Sequence, residues 1–305
     1  MSSSTASSPY PWYFRPLDWG LRGLAALPLF VLYGLAEVLY FLMAYVLRYR
    51  QRVVLKNLRN SFPEKSAAEH RQLARRFYRH FAQLMVEILW LRQATPAQLK
   101  RRVEYPNKHV LIDHVEAGRS VLALGSHAGN WEWILTSGQL QLDVPAVGVY
   151  QPLNNGFFDE FMYKLRTRTG AELVTMRETI RYMAATRNRQ KVLSMLSDQS
   201  PSNPTNRYWT HLLHQDTAFY TGADRLASHF QLPVVYVSIQ RVRRGYYRIV
   251  LEELFDGQSA LDPNQHQITE AFARALERDI QAAPADYLWS HRRWKHKREA
   301  TERVH

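Results

Sequence analysis

Two periodicities alternate along most of the chain. Strand-like runs, mostly apolar, at 120–124, 146–150, 171–175, 191–197 and 233–240 have the length of buried strands. Between them, 131–140, 156–168, 177–188 and 219–230 space their apolar residues for helices. Strands alternating with helices predict an α/β fold, a mixed and mainly parallel sheet flanked by helices. Arg243, Arg244 and Gly245 turn the last run back into 246–253, an antiparallel hairpin at one edge. A helix from 264 to about 281 follows. Upstream, Ser66 and Glu69 form a capping box opening a long helix to about Leu91, with Leu73, Phe77, Phe81, Leu84 and Ile88 along one face. Thr95 and Pro96 start another short helix.

The N-terminal region follows a different pattern. Residues 1–20 read as a tail and juxtamembrane stretch, Ser-rich and without apolar periodicity at its start. In the 24 residues 24–47 the only charge is Glu37, enough apolar length for a membrane-anchoring helix over 21–47. No basic start precedes it and no small-residue cleavage site follows, unlike a cleavable signal. Pro28, Gly34 and Glu37 leave a spanning helix and one lying in the interface plane both open. Arg48, Arg50, Arg52, Lys56 and Arg59 follow it, against Arg15 and Arg22 before it, so the positive-inside rule puts 48–305 on the cytoplasmic side.

Candidate chemistry gathers where the first apolar run ends. Gly125 and Gly129 bracket a tight turn, His127 lies on it, Asn130 reads as an N-cap, and Glu132 falls in the first helical turn. On one continuous helix a spacing of five would set His127 and Glu132 about 140° apart. A bend at the glycines lets the carboxylate fold back onto the imidazole, fixing its tautomer and making the other ring nitrogen a better base. With 12 His and 27 acidic residues in 305, chance supplies about one His-x4-acid pair, and the chain holds two, His127/Glu132 and His211/Asp216. Only the first has a strand, a glycine turn and a helix start around it.

Two further groups stand out. Arg166 and Arg168 close a helical stretch just before a strand, where guanidinium groups suit bidentate phosphate contact or a solvated basic helix end. Asp198 and Gln199 follow an apolar strand, so they project at the carboxyl edge where α/β sites assemble. No Gly-x-Ser-x-Gly elbow, phosphate-binding glycine loop, dinucleotide fingerprint or His-Glu-x-x-His occurs. A metal site is therefore not expected, and direct transfer to a hydroxyl needs neither a serine nucleophile nor a metal.

These blocks resemble a known family. His127, Ala128, Gly129, Asn130, Trp131 and Glu132 are similar to the first signature of the lysophospholipid acyltransferase superfamily, in the form used by the late acyltransferases of lipid A biosynthesis. An aromatic residue usually stands where this chain has Ala128. The family keeps an arginine in the second block, matched here by Arg166 with Arg168 second, and carries Asp-Gln where Asp198 and Gln199 stand. Thr217–Ala227 and Tyr287–Lys295 resemble its later blocks, although His211–Asp216 replaces an aromatic stretch, which bears on the acceptor. The resemblance implies a membrane-bound acyltransferase with no cofactor beyond its acyl thioester co-substrate, from acyl carrier protein or CoA. It implies His127 and Glu132 as catalytic residues and Asn130, Arg166, Arg168, Asp198 and Gln199 as substrate-binding. The implied acceptor is a lipid A precursor, with a lysophospholipid or aminolipid as the alternative.

Charge and composition narrow the partners. A formal charge of +13 demands something anionic: lipid headgroups, a phosphorylated substrate, an acidic carrier or nucleic acid. A non-catalytic lipid- or nucleic-acid-binding protein would share that charge but leave an acid and a base meeting at a glycine turn unexplained. Together with the resemblance, the expected partners are a membrane lipid, the acyl donor and an anionic membrane surface, with no nucleic acid, at the inner membrane. Eight Trp and 17 Tyr suit such an interface. The absence of cysteine excludes disulfides and cysteine nucleophiles.

Overall fold

The computed structural model describes residues 11–201 and 207–298; the start of the predicted tail lies outside them. In chain order the elements begin with helices α1 (Arg15–Ala25), α2 (Leu29–Phe41), α3 (Gln51–Ser61), α4 (Ala67–Leu91) and α5 (Pro96–Lys100). Next come strand β1 (Val103–Glu104), α6 (His109–Glu116), β2 (Val121–Gly125), α7 (Glu132–Gln141), β3 (Ala146–Tyr150) and α8 (Gly156–Thr167). Then follow β4 (Glu172–Thr175), α9 (Thr179–Ala185), β5 (Val192–Leu196), β6 (Arg207–Leu212), β7 (Gln215–Tyr220) and α10 (Gly222–Phe230). The chain closes with β8 (Val234–Arg243), β9 (Tyr246–Phe255) and α11 (Gln267–Ala282).

Seven strands make one sheet in the order β1-β9-β8-β2-β5-β3-β4, parallel except for the β8–β9 pair. That is the predicted mixed, mainly parallel α/β sheet, with the predicted hairpin one strand in from the edge because the two-residue β1 pairs outside β9. β2 sits between β5 and β8, and all five of its residues are buried, as a strand covered on both faces requires. The capping boxes of α4 and α5 form as their sequences demand: Ser66 and Glu69 satisfy each other's backbone N–H groups, as do Thr95 and Gln98.

Tertiary structure departs from the sequence reading in three places. First, 24–47 is not one helix. Pro28 has no N–H to donate and adopts an extended conformation, so α1 ends at Ala25 and α2 starts afresh at Leu29. α2 runs on into a π-helical turn, Leu42–Val46. Leu29–Val46 remains long and apolar enough to cross a membrane by length and composition, at mean hydropathy 1.9. Yet Leu29, Leu32, Tyr33, Ala36 and Tyr40 bury one face of α2 in the same core as β2, β5 and β8. Phe30, Val31, Val38 and Phe41 stay exposed on the other.

Second, Asn130 does not cap α7. Its side chain turns inward to Glu87 of α4, and the N-cap position falls on Trp131 without a side-chain cap. Third, β6 and β7 form an antiparallel hairpin outside the main sheet, with β7 occupying residues up to Tyr220, so α10 begins only at Gly222. α3, α6 and the two-residue β1 were also not expected from the sequence pattern.

Candidate active site

The site is built where β2 and β5 end side by side. Their register pairs Gly125 with Leu196, and the Ser197 N–H donates to the Gly125 carbonyl at 3.0 Å. Two residues further on each strand come His127 and Asp198, so parallel pairing alone brings them opposite one another. Asp198 accepts from His127 twice: Oδ1 lies 2.7 Å from Nδ1, and Oδ2 takes the His127 backbone N–H at 3.1 Å. Gln199, next along, places its amide nitrogen 3.1 Å from His127 Nε2.

Charge settles the tautomer. Burial pushes the Asp198 carboxyl pKa up, but the adjacent His127 and the nearby Arg293 outweigh it, and the group lies below the usual carboxylate range. An ionised Asp198 only accepts, so Nδ1 carries the proton and Nε2 presents a lone pair to Gln199. Arg293 is itself fully buried, stacked 4.4 Å over the Phe219 ring and donating to the Ala218 carbonyl at 2.7 Å.

The loop after β2 is held by the C-terminal segment. The Gly129 N–H donates to the Asp286 carbonyl at 3.0 Å, and the Leu288 N–H to that of His127 at 3.1 Å. Ala128 forms an isolated antiparallel bridge with Tyr287. Gly129 has φ +56°, and a Cβ there would lie 2.9 Å from the Ile239 carbonyl of β8, so only glycine fits this crossing.

Glu132 takes a different partner from the one its spacing suggested. Its carboxylate receives a two-point contact from Arg166, Nε to Oε2 at 2.8 Å and the terminal nitrogen to Oε1 at 2.7 Å. Trp131 Nε1–H also donates to Oε1 at 3.2 Å, while its ring packs 5.2 Å from that of His127. Glu132 therefore meets the imidazole through Trp131, and the carboxylate on Nδ1 is that of Asp198. The physical reason is the crossing of α7 by α8: Arg166 reaches back from the last turn of α8 to the first turn of α7. Burial works against the Arg166 charge, but Glu132 more than offsets it and raises the guanidinium pKa. That guanidinium, expected to hold a substrate anion, already holds a protein carboxylate.

The other predicted residues disperse. Asn130 is fully buried, its amide donating to Glu87 Oε2 at 2.9 Å. Arg168 lies apart from Arg166, donating to the Ala94 carbonyl at 2.6 Å and lining a small cavity of about 160 Å³ with Arg92 and Glu160. Thus His127, Asp198 and Gln199 come together, Glu132 and Arg166 form an adjoining pair, and Asn130 and Arg168 serve other contacts.

Sequence reasoning missed Glu87. It is completely buried and accepts from Asn130, from the Tyr33 hydroxyl of α2 at 2.8 Å and from the Tyr247 hydroxyl of β9 at 2.7 Å. One acidic residue on the apolar side of α4, one turn beyond Gln83 and among Leu84, Val86 and Leu91, was the available signal. Arg293, in the basic Tyr287–Lys295 block, gave none, because nothing in a charge run marks the member that is buried.

A histidine with a buried carboxylate on one ring nitrogen and Gln199 against the other, at the carboxyl edge of an α/β sheet, has the arrangement that a general base requires. The chain belongs to the bacterial lipid A biosynthesis acyltransferase family, whose model matches residues 12–296. It is accordingly an acyltransferase. It is similar to the lipid A biosynthesis lauroyltransferase of Escherichia coli K12, with 24% identity over 272 residues, covering 88% of this chain and 87% of that one. The lipid A biosynthesis palmitoleoyltransferase of the same organism is 22% identical over 252 residues, covering 82% and 80%. A lipid A biosynthesis acyltransferase of Shigella flexneri matches to the same extent.

Proposed function

We propose that the protein transfers a fatty acyl group from a thioester of acyl carrier protein or CoA to a hydroxyl of a lipid A precursor. The observation that carries the mechanism is the 2.7 Å contact between His127 Nδ1 and a buried Asp198. With Nδ1–H fixed by Asp198, His127 Nε2 removes the acceptor hydroxyl proton as that oxygen attacks the thioester carbonyl. The tetrahedral intermediate then collapses, the carbon–sulfur bond breaks, and the imidazolium returns its proton to the thiolate. Asp198 orients the ring and stabilises its charged form, and Gln199 marks the position the hydroxyl takes. Glu132 and Arg166 hold Trp131 against the imidazole face, which fixes the ring's orientation from the other side.

The same reading seats the protein on the cytoplasmic face of the inner membrane. Since one face of α2 is spent on the core, contact with lipid falls to the other face, to α1 and to the turn just before it, where Trp12, Trp19, Phe30 and Phe41 are 75%, 68%, 76% and 57% exposed. Aromatic residues beside basic ones suit an interfacial seat on anionic lipid.

The test is acyl transfer by the full-length protein in detergent micelles, offering acyl carrier protein and CoA thioesters against a lipid A precursor and a lysophospholipid. Mass spectrometry should find one acyl chain added to the lipid A precursor. Acylation of the lysophospholipid instead, or thioester loss without transfer, would overturn the proposed reaction.

A further inference from the structure

Beside the catalytic loop lies a cleft of about 460 Å³ lined by residues of α4, by Arg241 of β8, and by Ala285 and Asp286. Four guanidinium groups, those of Arg75, Arg76, Arg79 and Arg241, line it together with a single carboxylate, that of Asp286, which lies 3.7 Å from His80 Nδ1. Two of the four have local partners. Arg79 donates to Glu37 of α2 at 3.0 Å, and Arg241 contacts Gln83 and the Nδ1 of His80. Arg75 and Arg76 are exposed and pair with no carboxylate among the described residues.

Three features place this cleft next to the chemistry and next to lipid. The backbone carbonyl of Asp286, which lines the cleft, accepts the Gly129 N–H two residues from His127. His80, buried in its wall, lies against the backbone of Gly129, and burial lowers its pKa. Tyr40 of α2 also lines it and packs against Tyr45 of the following π-helical turn, which in turn packs against Phe41, and both of these are exposed apolar residues. A basic cleft continuous with an apolar helix face matches an amphiphile, with its anionic head in the cleft and its chains along the helix.

We propose that this cleft binds a phosphate monoester on the headgroup of the lipid acceptor. Phosphate is the anion that several guanidinium groups recognise best, each through paired N–H donors. The volume falls in the range of sites for small organic ligands and leaves room for the headgroup bearing the phosphate. An acidic carrier protein would also be drawn to arginines, but it needs a broad contact surface, and here the charge is concave and bordered by apolar residues. The proposal rests on the acyl-transfer reading for the identity of its ligand as acceptor, while the binding itself can be measured without turnover.

The experiment uses the full-length protein in neutral detergent and the variant Arg75→Gln/Arg76→Gln. Arg177→Gln/Arg187→Gln, which removes two exposed charges beside α9, controls for net charge. Binding of short-chain phosphatidic acid, of the matching diacylglycerol and of inorganic phosphate is measured by calorimetry. Phosphatidic acid should bind the parent at least about tenfold tighter than either of the others. The α4 variant should lose about tenfold in affinity, a typical loss for charge-assisted contacts, and the control should lose none. In turnover, acceptor KM should rise about tenfold with donor KM unchanged, the signature of binding shared by ground and transition states. Equal binding of inorganic phosphate would overturn the lipid source. A rise in donor KM alone would assign the cleft to the carrier instead. Unchanged phosphatidic acid affinity in the variant would reduce the arginines to a solvated face. None of the binding results depends on whether the enzyme turns over, so failure of the reaction and failure of the cleft are separable.

Discussion

The chain holds the same spacing twice, with opposite results. His211 and Asp216 make the direct contact that a His-x4-acid pair suggests: Nε2 lies 3.0 Å from Oδ1, with the side chains 62% and 38% exposed. They face each other across β6 and β7 as register partners. His127 and Glu132, in the functional setting, form no such contact; each takes its partner from far along the chain, Asp198 and Arg166. Five residues bring two side chains together across a hairpin turn, whereas a strand-to-helix turn points them apart. The hairpin pair is solvated and screened, and such pairs contribute little. The pair joined by strand adjacency is buried, where one carboxylate can set a tautomer and hold a charge.

The sharpest way to break this contrast is to remove each member. His127→Ala should lower kcat/KM by about 10²–10⁴-fold with the fold intact by circular dichroism. Asp198→Asn should approach the same loss, since the amide can accept from only one nitrogen and no longer stabilises the imidazolium. The double variant should be no worse than the weaker single one, because the two act as a unit. If Asp198→Asn keeps near-parental rates, the geometric pairing is not the catalytic one.

Glu132 and Arg166 should behave as a buried ion pair. Glu132→Gln and Arg166→Met should each destabilise by about 3–5 kcal/mol, by leaving the partner charge uncompensated, while the double variant recovers much of it. Chemical denaturation of the four proteins checks this. Should Arg166→Met leave stability unchanged and raise acceptor KM, its guanidinium serves substrate and not Glu132.

A smaller effect concerns pH. Burial lowers His291 to about 4, below the ordinary histidine value, and lowers His80 as well. The unfolded chain therefore binds protons between about 6.5 and 4 that the native state refuses, so stability falls as pH falls through that window. The depressed Asp198 pKa adds a further loss at lower pH, through and below the ordinary carboxylate range. Melting curves should show the His291→Gln variant losing less Tm than the parent between pH 6.5 and 4. Parallel curves would mean that His291 titrates freely. The smallest effect is at the hairpin: His211→Ala should move stability by no more than about 0.5 kcal/mol and leave turnover unchanged. A large loss of activity there would make the exposed pair the functional one.

Local sequence was enough for elements whose determinants lie within a few residues. The Ser66–Glu69 capping box, the helix start at Thr95 and Pro96, the hairpin turn at Gly245, and the strand–glycine–helix turn carrying His127 all form where the pattern put them, because caps, turns and periodicity are short-range. The β6–β7 hairpin did not show itself for a corresponding reason. Its two-residue turn places Leu213 and His214 at φ +49° and +61°, a conformation that Asn-Gly would have announced and Leu-His does not. Contacts from α11 hold it instead: Glu277 accepts the Leu213 N–H at 2.7 Å, and Arg274 donates to the His211 carbonyl.

The residues of the site were legible one by one, but their partnerships were not. His127, Asp198 and Gln199 could each be placed at the carboxyl end of a strand, yet 71 positions separate His127 from Asp198. Only the choice of β5 as the neighbour of β2, in register with Gly125 against Leu196, sets the carboxylate on Nδ1. Glu132 likewise depended on where α8 crosses α7, and Asn130 on which face of α4 packs beneath the loop. The apolar run 24–47 told of length and hydrophobicity, which are additive along a chain, but Pro28 and the core decided how much of it remains for a membrane. Residue type and short-range spacing are local properties of a sequence; which charge neutralises which is decided by strand order, register and helix packing, over distances that no local pattern spans.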